Sequence, residues 1–153
     1  AAVGGRLEVM SAWAEGGVMQ AGTYSGNSIG AAATVATIGE LSTGAPYTQI
    51  NEVGGALMAG LAKICADHSE PASIVGIPSM FSVFFSDGEL KEYRDTANHD
   101  GDLYVAVVLG MINRGGMPCD AAKEPWFISS AHTEEDVAET LTAFEDALVD
   151  ARK

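Results

Sequence analysis

Apolar positions recur at helical spacing in three stretches of the chain. Tyr47, Ile50, Val53, Leu57, Leu61 and Ile64 follow one another at intervals of three or four residues, which puts them on one face of a helix. Gly54, Gly55 and Gly60 lie within that helix and each weakens it by about 1 kcal/mol relative to alanine. Such a helix must be held by packing, and it brings its backbone close to a neighbour. Val137, Leu141, Phe144 and Leu148 form a second stripe. It opens on Thr133-Glu134-Glu135-Asp136, which has the form of a capping box with Asp in place of Glu, and its acids stand at the positive end of the helix dipole. Leu103, Val107 and Met111, with Val108 and Ile112, predict a third helix over 100–114, stopped by Gly115-Gly116. A short helix is expected at Leu7–Trp13. Ile29–Leu41 is Ala-rich, with small residues nearly all round, and predicts a helix packed closely on other elements. Thr43-Gly44-Ala45-Pro46 separates it from the next.

Elsewhere the pattern is that of strands. Residues 73–77 and 80–85 are rich in β-branched and aromatic side chains and are followed by a turn signal, Asp87-Gly88. Met117–Cys119 and Trp126–Ser129 read as short strands around the loop 120–125, and residues 1–6 as the tail of a strand running into a Gly-Gly turn. The order predicts an α/β chain whose last part, from about residue 70, is an α+β unit: a small antiparallel sheet covered on one side by helices. Residues 1–45 look like the end of another domain, and a helix over 46–69 joins the two.

Charge narrows the partners. Eight Lys and Arg face 21 Asp and Glu, for a net charge of −13, and a chain this acidic lacks the basic face that nucleic acid or an anionic membrane requires. No apolar run approaches the roughly 20 residues of a membrane span, and no leader pattern is visible at the start. Cys65 and Cys119 are expected as free thiols in a reducing cytoplasm, and His68, His99 and His132 have no metal-ligand spacing, so no metal site is expected. The first residue is not Met, which leads us to expect a piece of a longer chain.

One loop carries chemistry of its own. Gln20-Ala21-Gly22-Thr23-Tyr24-Ser25-Gly26-Asn27 places two glycines, two alcohol hydroxyls and two amides before a helix. Glycines let a backbone approach a ligand, hydroxyls and free N–H groups donate to anions, and a helix N-terminus favours negative charge. A phosphate group is the natural ligand. The loop is not a nucleotide P-loop, since no Gly-Lys-Ser/Thr follows. Gly- and Ser-rich turns before helices also serve as plain connectors, and the loop taken alone leaves both readings open.

Three segments in order give the chain a likeness. Ala2-Val3-Gly4-Gly5-Arg6, then Gln20 to Asn27, then Phe127-Ile128-Ser129-Ser130-Ala131-His132-Thr133-Glu134-Glu135-Asp136 resemble the class III, fold type I pyridoxal-phosphate enzymes, the glutamate-1-semialdehyde 2,1-aminomutases and their aminotransferase relatives. The resemblance covers essentially the whole chain. It implies a homodimer with the active site at the subunit interface and small-molecule amino or keto substrates. Gly22 and Thr23 match the motif whose N–H and hydroxyl bind the pyridoxal 5'-phosphate phosphate of the neighbouring subunit. Residues 1–45 would end the large cofactor domain, 46–69 would be the interdomain helix and 70–153 the C-terminal small domain.

Glu124 matches a position where the aminomutases also carry an acid and many aminotransferases an Arg that clamps an α-carboxylate. An acid there repels an α-carboxylate and attracts an amine, which suits a semialdehyde or a β- or ω-amino substrate. Lys123 and Pro125-Trp126 depart from the aminomutase pattern. The family's Schiff-base lysine falls before Ala1, and none of Lys63, Lys91, Lys123 and Lys153 matches it. The resemblance therefore implies a C-terminal portion that is inactive alone. Two alternatives remain at this stage: an aminotransferase of β-amino acids or amines, and a non-catalytic dimerisation or binding module.

Overall fold

The computed structural model describes residues 3–153. Ala1 and Ala2, which belong to the strand expected over residues 1–6, lie outside the described residues, and 3–6 are irregular rather than extended in a sheet. The chain divides into two compact units, Ala1–Gly44 and Ala45–Lys153.

The first unit holds two helices, α1 (Leu7–Ala14) and α2 (Ser28–Leu41). Both match the helices expected from the sequence, and Asn27 caps α2 by accepting from the Gly30 N–H at 2.9 Å. The close packing expected of α2 is not found. Neither helix buries a residue, and Leu7 and Ile29 are 84% and 80% exposed. An Ala-rich helix of this kind has no charged face to present to water, so its composition belongs to a buried setting that residues 3–44 do not themselves supply.

The second unit has its own core. A long helix, α3 (Ala45–Asp67), leads into the hairpin β1 (Ala72–Ile77) and β2 (Met80–Phe85), then a 3-10 turn at Tyr93–Asn98, α4 (Gly101–Ile112), β3 (Trp126–Phe127) and α5 (Glu134–Ala151). The sheet has order β1-β2-β3 and is antiparallel throughout, with Ala72 opposite Phe85, Ile77 opposite Met80 and Phe81 opposite Trp126. Helix α3 packs on β1, α4 on β2, and α5 on both helices. Leu57 and Leu61 from α3, Phe81, Val83 and Phe85 from β2, Tyr104 and Met111 from α4, and Phe144 and Leu148 from α5 form one buried cluster. Phe85 and Phe144 stack at 6.4 Å between centroids, joining sheet to helix.

Two of the three glycines singled out in α3 make the close approach the sequence suggests, whereas a Cβ on Gly55 would meet nothing within 4 Å. A Cβ on Gly54 would lie 2.0 Å from the Pro78 carbonyl oxygen, in the turn between β1 and β2, and one on Gly60 would lie 2.4 Å from Leu141 Cδ1. The two positions seat α3 directly against the hairpin and α5. Helix α5 begins with the expected box: Thr133 N–H donates to Asp136 Oδ2 at 2.7 Å and Asp136 N–H to Thr133 Oγ1 at 3.2 Å. Helix α4 stops where expected, with Gly116 N–H donating to the Met111 carbonyl and Gly115 N–H to that of Ile112.

Two strand expectations need correction. Met117–Cys119 is irregular, and the strand expected over Trp126–Ser129 is only Trp126 and Phe127. Pro118 lacks an N–H for a ladder, and β2 offers β3 partners only at Met80 and Phe81.

Candidate active-site elements

The loop before α2 is built from tight turns. Ser25 N–H donates to the Gly22 carbonyl at 3.0 Å and Asn27 N–H to that of Tyr24 at 3.1 Å. Gln20 Nε2 donates to Ser25 Oγ at 3.1 Å and holds the near side of the loop. A Cβ on Gly22 would lie 2.9 Å from Ser25 Oγ, so a glycine keeps this turn compact. The loop and the first turns of α2 line an open hollow of about 890 Å³, with Gln20, Gly22, Ser25, Asn27 and Thr34 on its wall. Thr23 is in the loop but not on that wall.

The N–H groups of Gly22 and Thr23 and the Thr23 hydroxyl meet no protein acceptor among the described residues. They are neutral donors on an exposed turn, beside the positive end of a helix dipole. No Lys or Arg lies within the loop, so a dianion's charge would be balanced by groups outside it. On this test the residues present fit a phosphate ester as one contributing edge.

Glu124 lies in the second unit, exposed, in the loop between α4 and β3, with its N–H donating to the Ala121 carbonyl at 3.0 Å. Beside that loop is a hollow of about 310 Å³ walled by Met117, Cys119, Pro125, Trp126, Phe127 and His132. Glu124 is not on its wall. The phosphate-loop candidates and the acid thus belong to different units. Cys65 and Cys119 are both free thiols. Burial pushes the Cys65 thiol up to about 11, which makes it an unreactive core group.

None of the four lysines has a setting that suits covalent work. Lys63 is paired with Asp67, Lys91 with Glu89 and Lys153 with Asp150, all at the surface, and Lys123 stands 5.2 Å from the Tyr93 ring centroid. A nucleophilic lysine needs a lowered pKa, and the Asp67 hydrogen bond raises that of Lys63.

His99 has a setting that its lack of metal-ligand spacing in the sequence gives no sign of. Its ring meets Phe84 edge-on at 5.4 Å and Tyr104 at 6.4 Å, and both ring nitrogens are buried without a partner. Burial lowers its pKa, the Lys123 charge lowers it further, and Asp100 opposes both. The folded state therefore takes up this proton less readily than the unfolded chain. Stability from this group is intact above the unfolded histidine value of about 6.5 and declines as pH falls below it, levelling off under the folded value. Acidification from pH 7.5 to 5.5 is expected to lower the Tm, and His99→Phe should show a smaller drop. An equal drop in the variant would assign the loss to other groups.

An antiparallel sheet with helices on one face and a donor-rich loop opening a helix are features of the fold type I pyridoxal-phosphate transferases. The chain belongs to the class-III aminotransferase family, whose model matches residues 1–148. It is 38% identical over 148 residues to a glutamate-1-semialdehyde 2,1-aminomutase of Desulfatibacillum aliphaticivorans, an alignment that covers 96% of this chain and 35% of the relative. Among solved structures, an omega-transaminase from Sphaerobacter thermophilus superimposes with a TM-score of 0.87 at 23% identity, over 98% of this chain and 35% of that one. The FumI protein of Sphingopyxis sp. MTA144, solved with its PLP cofactor, matches at 26% identity with a TM-score of 0.58, over 70% of this chain and 23% of that one. Pyridoxal phosphate is the cofactor of the family. The chain spans about a third of the length of the curated relatives it matches.

Proposed function

We propose that this chain is the C-terminal portion of a pyridoxal-phosphate enzyme of the glutamate-1-semialdehyde 2,1-aminomutase kind, which moves an amino group between neighbouring carbons of a small substrate on the route to tetrapyrrole precursors. The carrying observation is the loop Gly22–Asn27, in which the N–H groups of Gly22 and Thr23 and the Thr23 hydroxyl lack protein acceptors among the described residues, in a chain so similar to an aminomutase. In the working enzyme, a cytoplasmic homodimer, residues 1–45 end the cofactor domain, 46–69 form the interdomain helix and 70–153 the small domain. The apolar, unburied surface of α1 and α2 supports this division, because it calls for covering protein.

The bound cofactor supplies the electron sink that lets a C–N bond be made and broken beside a carbonyl. Gly22 and Thr23 hold the phosphate of the neighbouring subunit's cofactor with an N–H and a hydroxyl, which fixes the cofactor's position. Glu124 repels an α-carboxylate and favours an amine, so it selects substrates whose reacting carbon carries no carboxylate. The portion described here has no lysine suited to the covalent step and is inactive by itself.

Substrate choice tests the reading. The full-length enzyme is expected to isomerise a 4-amino-5-oxo acid or its 5-amino-4-oxo isomer without an added keto acid. Turnover only when an amine donor and a keto acceptor are both supplied would assign it instead to the aminotransferases of β-amino acids or amines.

A further inference from the structure

The loop that carries Glu124 is tied at both ends to one atom. The Tyr104 hydroxyl donates to the Cys119 carbonyl at 2.7 Å and accepts from Trp126 Nε1–H at 2.9 Å. Cys119 stands just before residues 120–125 and Trp126 just after them. Between these anchors the backbone bond from Glu124 N–H to the Ala121 carbonyl is the one hydrogen bond among the described residues that braces the loop.

The anchors themselves are rigid. Tyr104 is buried in the first turn of α4, where the Asp100 side chain accepts from the Leu103 N–H at 2.9 Å. Burial raises the phenol's pKa, so it stays protonated and keeps its donor role. Trp126 is buried in β3, pairs with Phe81 across the sheet and lies 5.8 Å from its ring. Losing any member of this network leaves a polar group unpaired in a largely apolar, half-buried to buried setting, which costs more than the bond itself contributes.

We propose that Tyr104 is a positioning residue for Glu124: its phenolic oxygen fastens both ends of the 119–126 loop and so sets where the Glu124 carboxylate stands against the substrate. The inference rests on the role given to Glu124 above. Neither Tyr104 nor Trp126 touches substrate. Their contribution reaches the reaction through binding, so it appears in KM rather than kcat.

Tyr104→Phe in the full-length holoenzyme keeps the ring and removes the hydroxyl. Both hydrogen bonds of the hydroxyl are lost, and KM for the amino substrate is expected to rise about tenfold with kcat nearly unchanged, because a displaced Glu124 binds the substrate more weakly. In a Glu124→Gln background the same change should leave KM where Glu124→Gln alone puts it. Exchange of the Glu124 amide, the one in the loop with a protein acceptor, should quicken in Tyr104→Phe, and Trp126→Phe should reproduce both effects if the first variant folds poorly. Unchanged exchange of the Glu124 amide in the variants would overturn the tie while leaving the role of Glu124 standing. An equal KM rise in both backgrounds would reduce Tyr104 to general packing. A normal KM in Glu124→Gln alone would remove the substrate role of Glu124, and the positioning role with it.

Discussion

Gly54→Ala is expected to destabilise the second unit by about 3 kcal/mol or more, a cost at the upper end for overpacking. The new Cβ would sit 2.0 Å from the Pro78 carbonyl oxygen and 2.7 Å from its carbon. Those are backbone atoms of the turn between β1 and β2, so no side-chain rotation can make room. Helix α3 must move off the hairpin, and Leu57, which shares the buried cluster with Phe81, Val83 and Phe85, loses packing there. Alanine's better helix propensity returns only about 1 kcal/mol. Gly60→Ala is a useful control. Its Cβ would meet the side chain of Leu141, which can turn away, so its cost should be smaller. Urea unfolding of the two variants measures the difference. A Gly54→Ala variant as stable as the parent would mean that α3 is not seated on the turn in solution.

Thr23→Val in the full-length enzyme is expected to weaken cofactor binding by about ten- to a hundredfold, the range for one hydrogen bond to a charged group. Valine keeps the shape of threonine and removes only the hydroxyl. The loop should keep its fold, because its turns rest on the bonds between Gly22 and Ser25 and between Tyr24 and Asn27, and none of them uses the Thr23 side chain. Equilibrium dialysis of the holoenzyme measures the loss. Retention as tight as in the parent would remove Thr23 from the phosphate site.

What could be read from the sequence was decided by how local the determining physics is. The stripe of α3 was legible because burial on one face imposes a helical period, and its glycines pointed to the close approaches now found at Pro78 and Leu141. The Thr133–Asp136 box and the Gly115-Gly116 stop were legible because caps are set within a few residues. The strand expected at Met117–Cys119 failed for the opposite reason. Met117 and Cys119 are apolar, but Pro118 between them cannot donate to a ladder and the segment has no pairing edge, and pairing is non-local. The 3-10 turn at Tyr93–Asn98 was passed over, although Glu92 and Asp95 form a reciprocal box at its start that an acid spacing could have flagged. Helix α2 was foreseen as a helix and misjudged in its surroundings, since its small residues record a neighbour that residues 3–44 do not contain.

At the candidate site the split is similar. The donor character of the loop around Gly22 and Thr23 follows from residue types alone, while the Asn27 cap is seen only in the structure. The fastening of the Glu124 loop to Tyr104 was not legible, because Tyr104, Cys119 and Trp126 are distant in sequence and meet only through the packing of α4 on the sheet. His99 was likewise invisible, since its missing partners are a property of the folded core.

Gly22 and Thr23 are proposed to serve the cofactor of the neighbouring subunit, and hybrid dimers show whether they do. One protomer of the full-length enzyme would carry Thr23→Val, and the other would lack the cofactor-binding lysine. If the loop acts across the interface, both defects fall on one site and the other site is intact. The hybrid should then hold one cofactor as tightly as the parent and show about half its activity. If every hybrid site is defective, so that the hybrid shows no tight cofactor and no activity beyond that of the single variants, the loop does not act across the interface and the account is wrong.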